Sequence, residues 1–109
     1  LKSNRNIFSA YDVDKVEEFE WWFYDNVESY RAIQDCITIY GRVAKKKFSL
    51  RMVLEMLRAG IDIRWRHIEV SLNNDFIPML QRRLEMDRPD LMEYLTAIRK
   101  SHTKKGGLE

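Results

Sequence analysis

One cysteine, two prolines and four glycines are all that 109 residues hold of the types that staple, break or loosen a chain. The single thiol, Cys36, excludes an internal disulfide and any metal site built from several cysteines. It lies in an apolar helical stretch, where a free cysteine reads as buried rather than nucleophilic. One thiol beside five methionines suits a reducing compartment. The two histidines, His67 and His102, are far apart in sequence, and neither His-x-x-x-His nor Cys-x-x-Cys spacing occurs. Gly41, Gly60, Gly106 and Gly107 form no phosphate-cradling loop. No apolar run approaches the roughly 20 residues that span a bilayer, so no membrane contact is expected. No secretory leader is read in a sequence that begins at Leu1. An excess of one charge is also missing. The balance is +2, short of the broadly basic footprint of a dedicated nucleic-acid binder.

What is present supports one packed domain. Hydrophobic residues make up 45% and aromatics 12%, enough for a core and too many for wholesale disorder. The length leaves no room for two cores. The near-neutral total hides an asymmetry. Residues 1–30 carry three basic side chains against seven acidic ones, net −4, and residues 31–70 carry nine against four, net +5. Two faces of opposite sign, or segments that attract one another, follow from that order.

Residues 1–13 are polar up to Phe8 and Tyr11 and read as an N-terminal arm. From Asp14 a helical period begins, with Phe19, Trp22 and Phe23 on one face. Val27, Tyr30, Ile33, Ile37, Tyr40 and Val43 continue in steps of three and four. Asn26 suits an N-cap, so a helix over 14–25 and a longer one over 27–45 are expected, with one bent helix as the alternative. Lys45, Lys46 and Lys47 would then sit where cations favour a helix end. Ser49 reads as the N-cap of the next helix, with Phe48 and Val53 at hydrophobic-staple positions and Gly60 as its stop. Ile61, Ile63 and Trp65 alternate, as do Ile68, Val70 and Leu72. That period predicts a small β-hairpin, although Arg66-His67 is poor turn chemistry. Asn73-Asn74-Asp75 caps a further helix with Pro78 in its first turn and Leu80 and Leu84 on its apolar face. Pro89 starts a last helix carrying Leu91, Tyr94, Leu95 and Ile98. The helical domain is therefore expected over 14–100. Residues 101–109 read as a disordered tail, and Gly106-Gly107-Leu108-Glu109 as a linker and cloning scar.

No catalytic constellation emerges, and neither a metal ligand set nor a cofactor site is expected. The acids Asp12, Asp14, Glu17, Glu18 and Glu20 read as a solvated helix start rather than a cation site. Two features point to binding. One is basic: Arg42, Lys45, Lys46, Lys47, Arg51 and Arg58, then Arg64 and Arg66 around Trp65. A helix with an arginine-bearing hairpin beside it is how winged-helix proteins present charge to DNA, though the tight helix-turn-helix pair is missing here. A plainly solvated face explains the same charges. The other feature is aromatic. Trp21 and Tyr24, three apart beside Glu17 and Glu20, form either a protein-contact or self-association surface or a layer covered by the arm with Phe8 and Tyr11.

The order of an aromatic-acidic helix, Asn26 with Tyr30 four residues on, Lys47-Phe48-Ser49, Val53-Leu54-Glu55-Met56-Leu57-Arg58, Leu72-Asn73-Asn74 with Pro78, and Pro89-Asp90-Leu91 resembles a known group. These are small phage- and prophage-encoded proteins of about this length without an established biochemical role, and the likeness runs from Phe19 to Arg99. Departures occur at Val27, where proline is common, at Asp75, where a third Asn is common, and at Ala97-Ile98-Arg99, which replaces an acidic-aromatic ending. The resemblance implies a mobile-element origin and the cytoplasm of a bacterial host, and no activity. The resulting expectation is a mainly α domain of four or five helices with a hairpin between the third and fourth, winged-helix-like. Its expected role is that of a non-enzymatic accessory protein binding DNA through the basic segment. A protein-binding module acting on a host or defence protein, or a homodimeric structural protein, is the alternative.

Overall fold

A computed structural model describes residues 13–97. The expected arm up to Asp12, the end of the last helix at Ile98, and the tail with His102 lie outside the described residues. The chain is mainly helical, as its periodicity requires, with four α-helices among the described residues: α1 (Val13–Asp25), α2 (Val27–Val43), α3 (Leu50–Ala59) and α4 (Ile77–Asp87). Short 3₁₀ turns at Ile63–Trp65, Asn74–Phe76 and Pro89–Glu93 complete the order. The long helix α2 packs against α1 and α3, and α3 packs in turn on α4.

α1 and α2 are separate helices meeting at Asn26. Asn26 does not cap α2 with its side chain. Its Nδ2 donates backward to the Trp22 carbonyl at 2.8 Å, so it closes α1 instead, where a helix leaves carbonyls without partners. The buried stripe of α1 is Val16, Phe19 and Phe23. The Phe23 ring meets Tyr30 of α2 edge-on, 4.7 Å between centroids, and Phe19 lies 6.2 Å from Phe76. α2 ends at Val43, before the three lysines, which therefore occupy the loop to α3 rather than its last turn.

α3 follows its sequence signals residue by residue. Ser49 Oγ accepts from the Met52 N–H at 3.1 Å. Leu50, Val53, Leu54 and Leu57 are buried. Gly60 turns left-handed at φ 64. Its N–H bonds the Leu57 carbonyl while the Ile61 N–H bonds that of Met56, the Schellman pattern.

The expected hairpin over 61–72 is absent, and with it the winged-helix likeness. Among the described residues the one β-bridge joins Phe48 to Leu95. Ile61 and Ile63 point outward instead of alternating into a core. Asp62 starts a 3₁₀ turn instead, accepting from the Arg64 N–H at 3.0 Å, and this local bond outcompetes strand pairing. Only the second half keeps a strand's habit, with Ile68, Val70 and Leu72 buried and Glu69, Ser71 and Asn73 exposed. Asn73 caps the 3₁₀ turn Asn74–Phe76 rather than the helix expected after it, taking the Asp75 N–H at 2.9 Å, while α4 starts from Phe76 without a side-chain cap and holds Pro78 in its first turn.

The last expected helix is also corrected: Pro89–Glu93 is one 3₁₀ stretch, after which the chain extends. Tertiary bonds claim its continuation. The Phe48 N–H donates to the Tyr94 carbonyl at 3.1 Å and the Thr96 N–H to that of Phe48 at 2.9 Å. Gln81 Nε2 holds the Thr96 carbonyl at 2.8 Å. One further tie crosses the fold: Tyr30 donates its hydroxyl to Asp87 at 2.7 Å, and Arg83 Nε donates to the same oxygen at 2.9 Å.

Candidate interaction surfaces

The basic residues singled out from the sequence fall in two groups, one at each end of α3. Lys45, Lys46 and Lys47 are exposed in the α2–α3 loop, and none joins an ion pair among the described residues. Arg51 follows in the first turn of α3, 3.5 Å from Glu55. Arg64, Trp65 and Arg66 lie beyond the other end of that helix, which a ten-residue helix places about 15 Å away.

That second group is spent on internal structure. Arg64 forks onto Asp62, Nε to Oδ1 at 3.0 Å and Nη2 to Oδ2 at 2.6 Å. Tyr40 donates its hydroxyl to the same carboxylate at 2.8 Å. The Arg64 side chain, its N–H and the Tyr40 hydroxyl together hold the Asp62 carboxyl well below the usual range. The Arg64 guanidinium lies 4.8 Å from the centre of the Trp65 ring. Trp65 itself is only 8% exposed and packs 6.4 Å from Tyr40, so its ring offers no face on which a base could stack. Arg66 Nε donates to the Gly60 carbonyl at 3.1 Å.

The aromatic pair lies differently. Trp21 is 73% exposed and Tyr24 48%, both on α1. Tyr24 stands edge-on against Phe23 at 5.3 Å. Glu18 and Asp25, at helical steps from Trp21, are exposed on the same side. Trp22 is half-buried against Phe19 at 6.2 Å, so the two adjacent tryptophans divide between core and solvent as helical spacing requires. The arm residues Phe8 and Tyr11 lie outside the described residues.

Reactive chemistry is sparse. Cys36 is buried in α2, and burial first, then the Asp62 charge, pushes its thiol up to about 11, the opposite of an activated nucleophile. Among the described residues no group of three or more potential ligands could hold a metal ion. His67 stands exposed in a turn.

One feature was not legible in the sequence. Arg58, in the last turn of α3, reaches across to the 70–74 segment and hydrogen-bonds the carbonyls of Val70 and Leu72 and the Asn74 side chain. It borders an open groove of about 420 Å³. As one more arginine in a basic stretch it carried no distinguishing signal, because only the tertiary fold brings residue 58 to residue 72.

No family model matches the chain, and no curated protein or solved structure matches it either.

Proposed function

We propose that this chain is a non-enzymatic accessory protein that docks on another protein through the Trp21–Tyr24 side of α1. The observation that carries the reading is the large exposure of Trp21 on a rigid helix, 73%. A tryptophan in water leaves its full hydrophobic area to be buried by a partner, and such rings dominate binding energy at protein contacts. Glu18 and Asp25 on either side favour a partner surface with positive charge at its rim. The phage-type origin rests on residue order alone.

A photo-crosslinking residue placed at position 21 tests this in bacterial cells. A discrete adduct with one protein, lost when Tyr24 is also changed to alanine, is the expected result. Uncrosslinked chain at position 21 ends the reading. The variant Trp21→Ala should cost less than about 0.5 kcal/mol of stability, as exposed positions do.

A second reading is favoured by the three lysines of the α2–α3 loop, which are exposed and join no ion pair among the described residues. They suit the phosphate backbone of a nucleic acid, without contribution from Trp65. Affinity for duplex DNA should then fall linearly on logarithmic axes as salt rises, with a slope of roughly −3 for three phosphates. Absence of binding at low salt removes it.

A further inference from the structure

Arg58 presents an accounting problem. A guanidinium carries five N–H donors, and three of them go to neutral acceptors: Nε to the Val70 carbonyl, Nη2 to the Leu72 carbonyl and Nη1 to Asn74 Oδ1. One donor therefore remains on each terminal nitrogen. No carboxylate lies within ion-pair distance of this cation among the described residues, unlike Arg51, Arg64, Arg82, Arg83 and Arg88.

The acceptors nearest Arg58 in the groove beside it are already taken, while main-chain donors of the same segment are not. The Val70 and Leu72 carbonyls and Asn74 Oδ1 are occupied by Arg58, and Asn73 Oδ1 is taken by the Asp75 N–H. The N–H groups of Val70, Ser71, Leu72 and Asn73 have no acceptor among the described residues. In an extended segment the N–H and C=O of one residue point to the same edge, so those of Val70 and Leu72 lie on the edge that Arg58 lines. The groove is open and holds about 420 Å³, ample for a small anion.

We propose that this groove is an oxyanion site, taking a phosphate or carboxylate group on the two remaining Arg58 donors and the adjacent main-chain N–H groups. Two donors, one on each terminal nitrogen, suit a group with two anionic oxygens. The acids that flank the 70–74 segment, Glu69 and Asp75, are exposed and do not line the groove, and those nearest Arg58 in sequence, Glu55 and Asp62, pair with Arg51 and Arg64. The site is separate from the Trp21 surface and does not depend on that reading.

Amide NMR titration of the full chain with sodium phosphate, and separately with sodium acetate, tests it against sodium chloride at matched ionic strength. Saturable shifts centred on Val70 to Asn74 with one of the two anions support the site and identify the group it prefers. Shifts no larger than those with chloride, or centred on Lys45 to Lys47, overturn it. Because Arg58→Ala would also release two carbonyls, the decisive variant is Asn74→Asp. It keeps the Arg58 hydrogen bond and supplies an internal carboxylate, so anion-induced shifts should fall at least tenfold while the rest of the spectrum is unchanged. Undiminished shifts in that variant overturn the proposal.

Discussion

At the scale of single residues, Cys36 shows how burial converts a reactive group into a packing one. It is 1% exposed, and its thiol is held up at about 11 from an ordinary value near 9. A folded-state pKa above the unfolded one means the contribution is fully present below about pH 9 and is lost as pH rises toward 11. Denaturant unfolding of the wild type and of Cys36→Ala across that window should show the stability gap narrowing by about 2 kcal/mol, because only the wild type must keep a proton on a buried sulfur. A gap that stays constant would mean the thiol is wetter than it stands here. Trp65 makes the same point for binding residues. Flanked by arginines it resembles a stacking platform in sequence, yet it is core, and Arg64 is neutralised by Asp62 two residues away. Neither burial nor that ion pair follows from an Arg-Trp-Arg string.

At the scale of elements, α3 was readable almost whole. Its cap, stripe and stop are local chemistry: a serine oxygen reaching an N–H three residues on, four aliphatic residues on one face, and a glycine at positive φ. Ser49→Ala should therefore cost about 1 kcal/mol, with Ser49→Gly costing only a few tenths. Equal losses for the two would show that the hydroxyl contributes nothing beyond local backbone preference. The hairpin failed for the complementary reason. Alternation at Ile68, Val70 and Leu72 reports one buried face and says nothing about a partner strand. Here two neighbouring helices, α2 through Ser29 and α3 through Arg58, take the carbonyls that a second strand would have used.

At the scale of the molecule, the C-terminal stretch is locked onto α2 by a close approach. A Cβ built on Gly41 would overlap the ring of Tyr94. Alanine at a helix interior is otherwise better than glycine by about 1 kcal/mol, while overpacking costs about 1–3 kcal/mol, so the two effects oppose. Since the Tyr94 backbone is held at both its N–H and its carbonyl, by Leu91 and Phe48, steric cost should prevail. Gly41→Ala is expected to lose about 1–2 kcal/mol in denaturant unfolding, and to become neutral or stabilising beside Tyr94→Ala. A stabilising Gly41→Ala in the wild-type background would show that Tyr94 moves aside freely.

The amino-acid sequence by itself determined the helical class, the bounds of α1 and α3, the cap at Ser49, and the buried stripes save at Val27 and Val43, which stand exposed at the two ends of α2. Each depends on residues within one or two turns of one another, where propensity and periodicity act. Tertiary structure alone decided the rest. It replaced the hairpin with a lone extended segment. It also separated the lysine loop from the Arg64–Arg66 turn and brought Arg58 to residues 70–74. Those outcomes rest on contacts between residues distant in sequence. The chain's clearest local charge pattern thus became scaffold, and its anion-ready groove arose where the sequence showed only one more arginine.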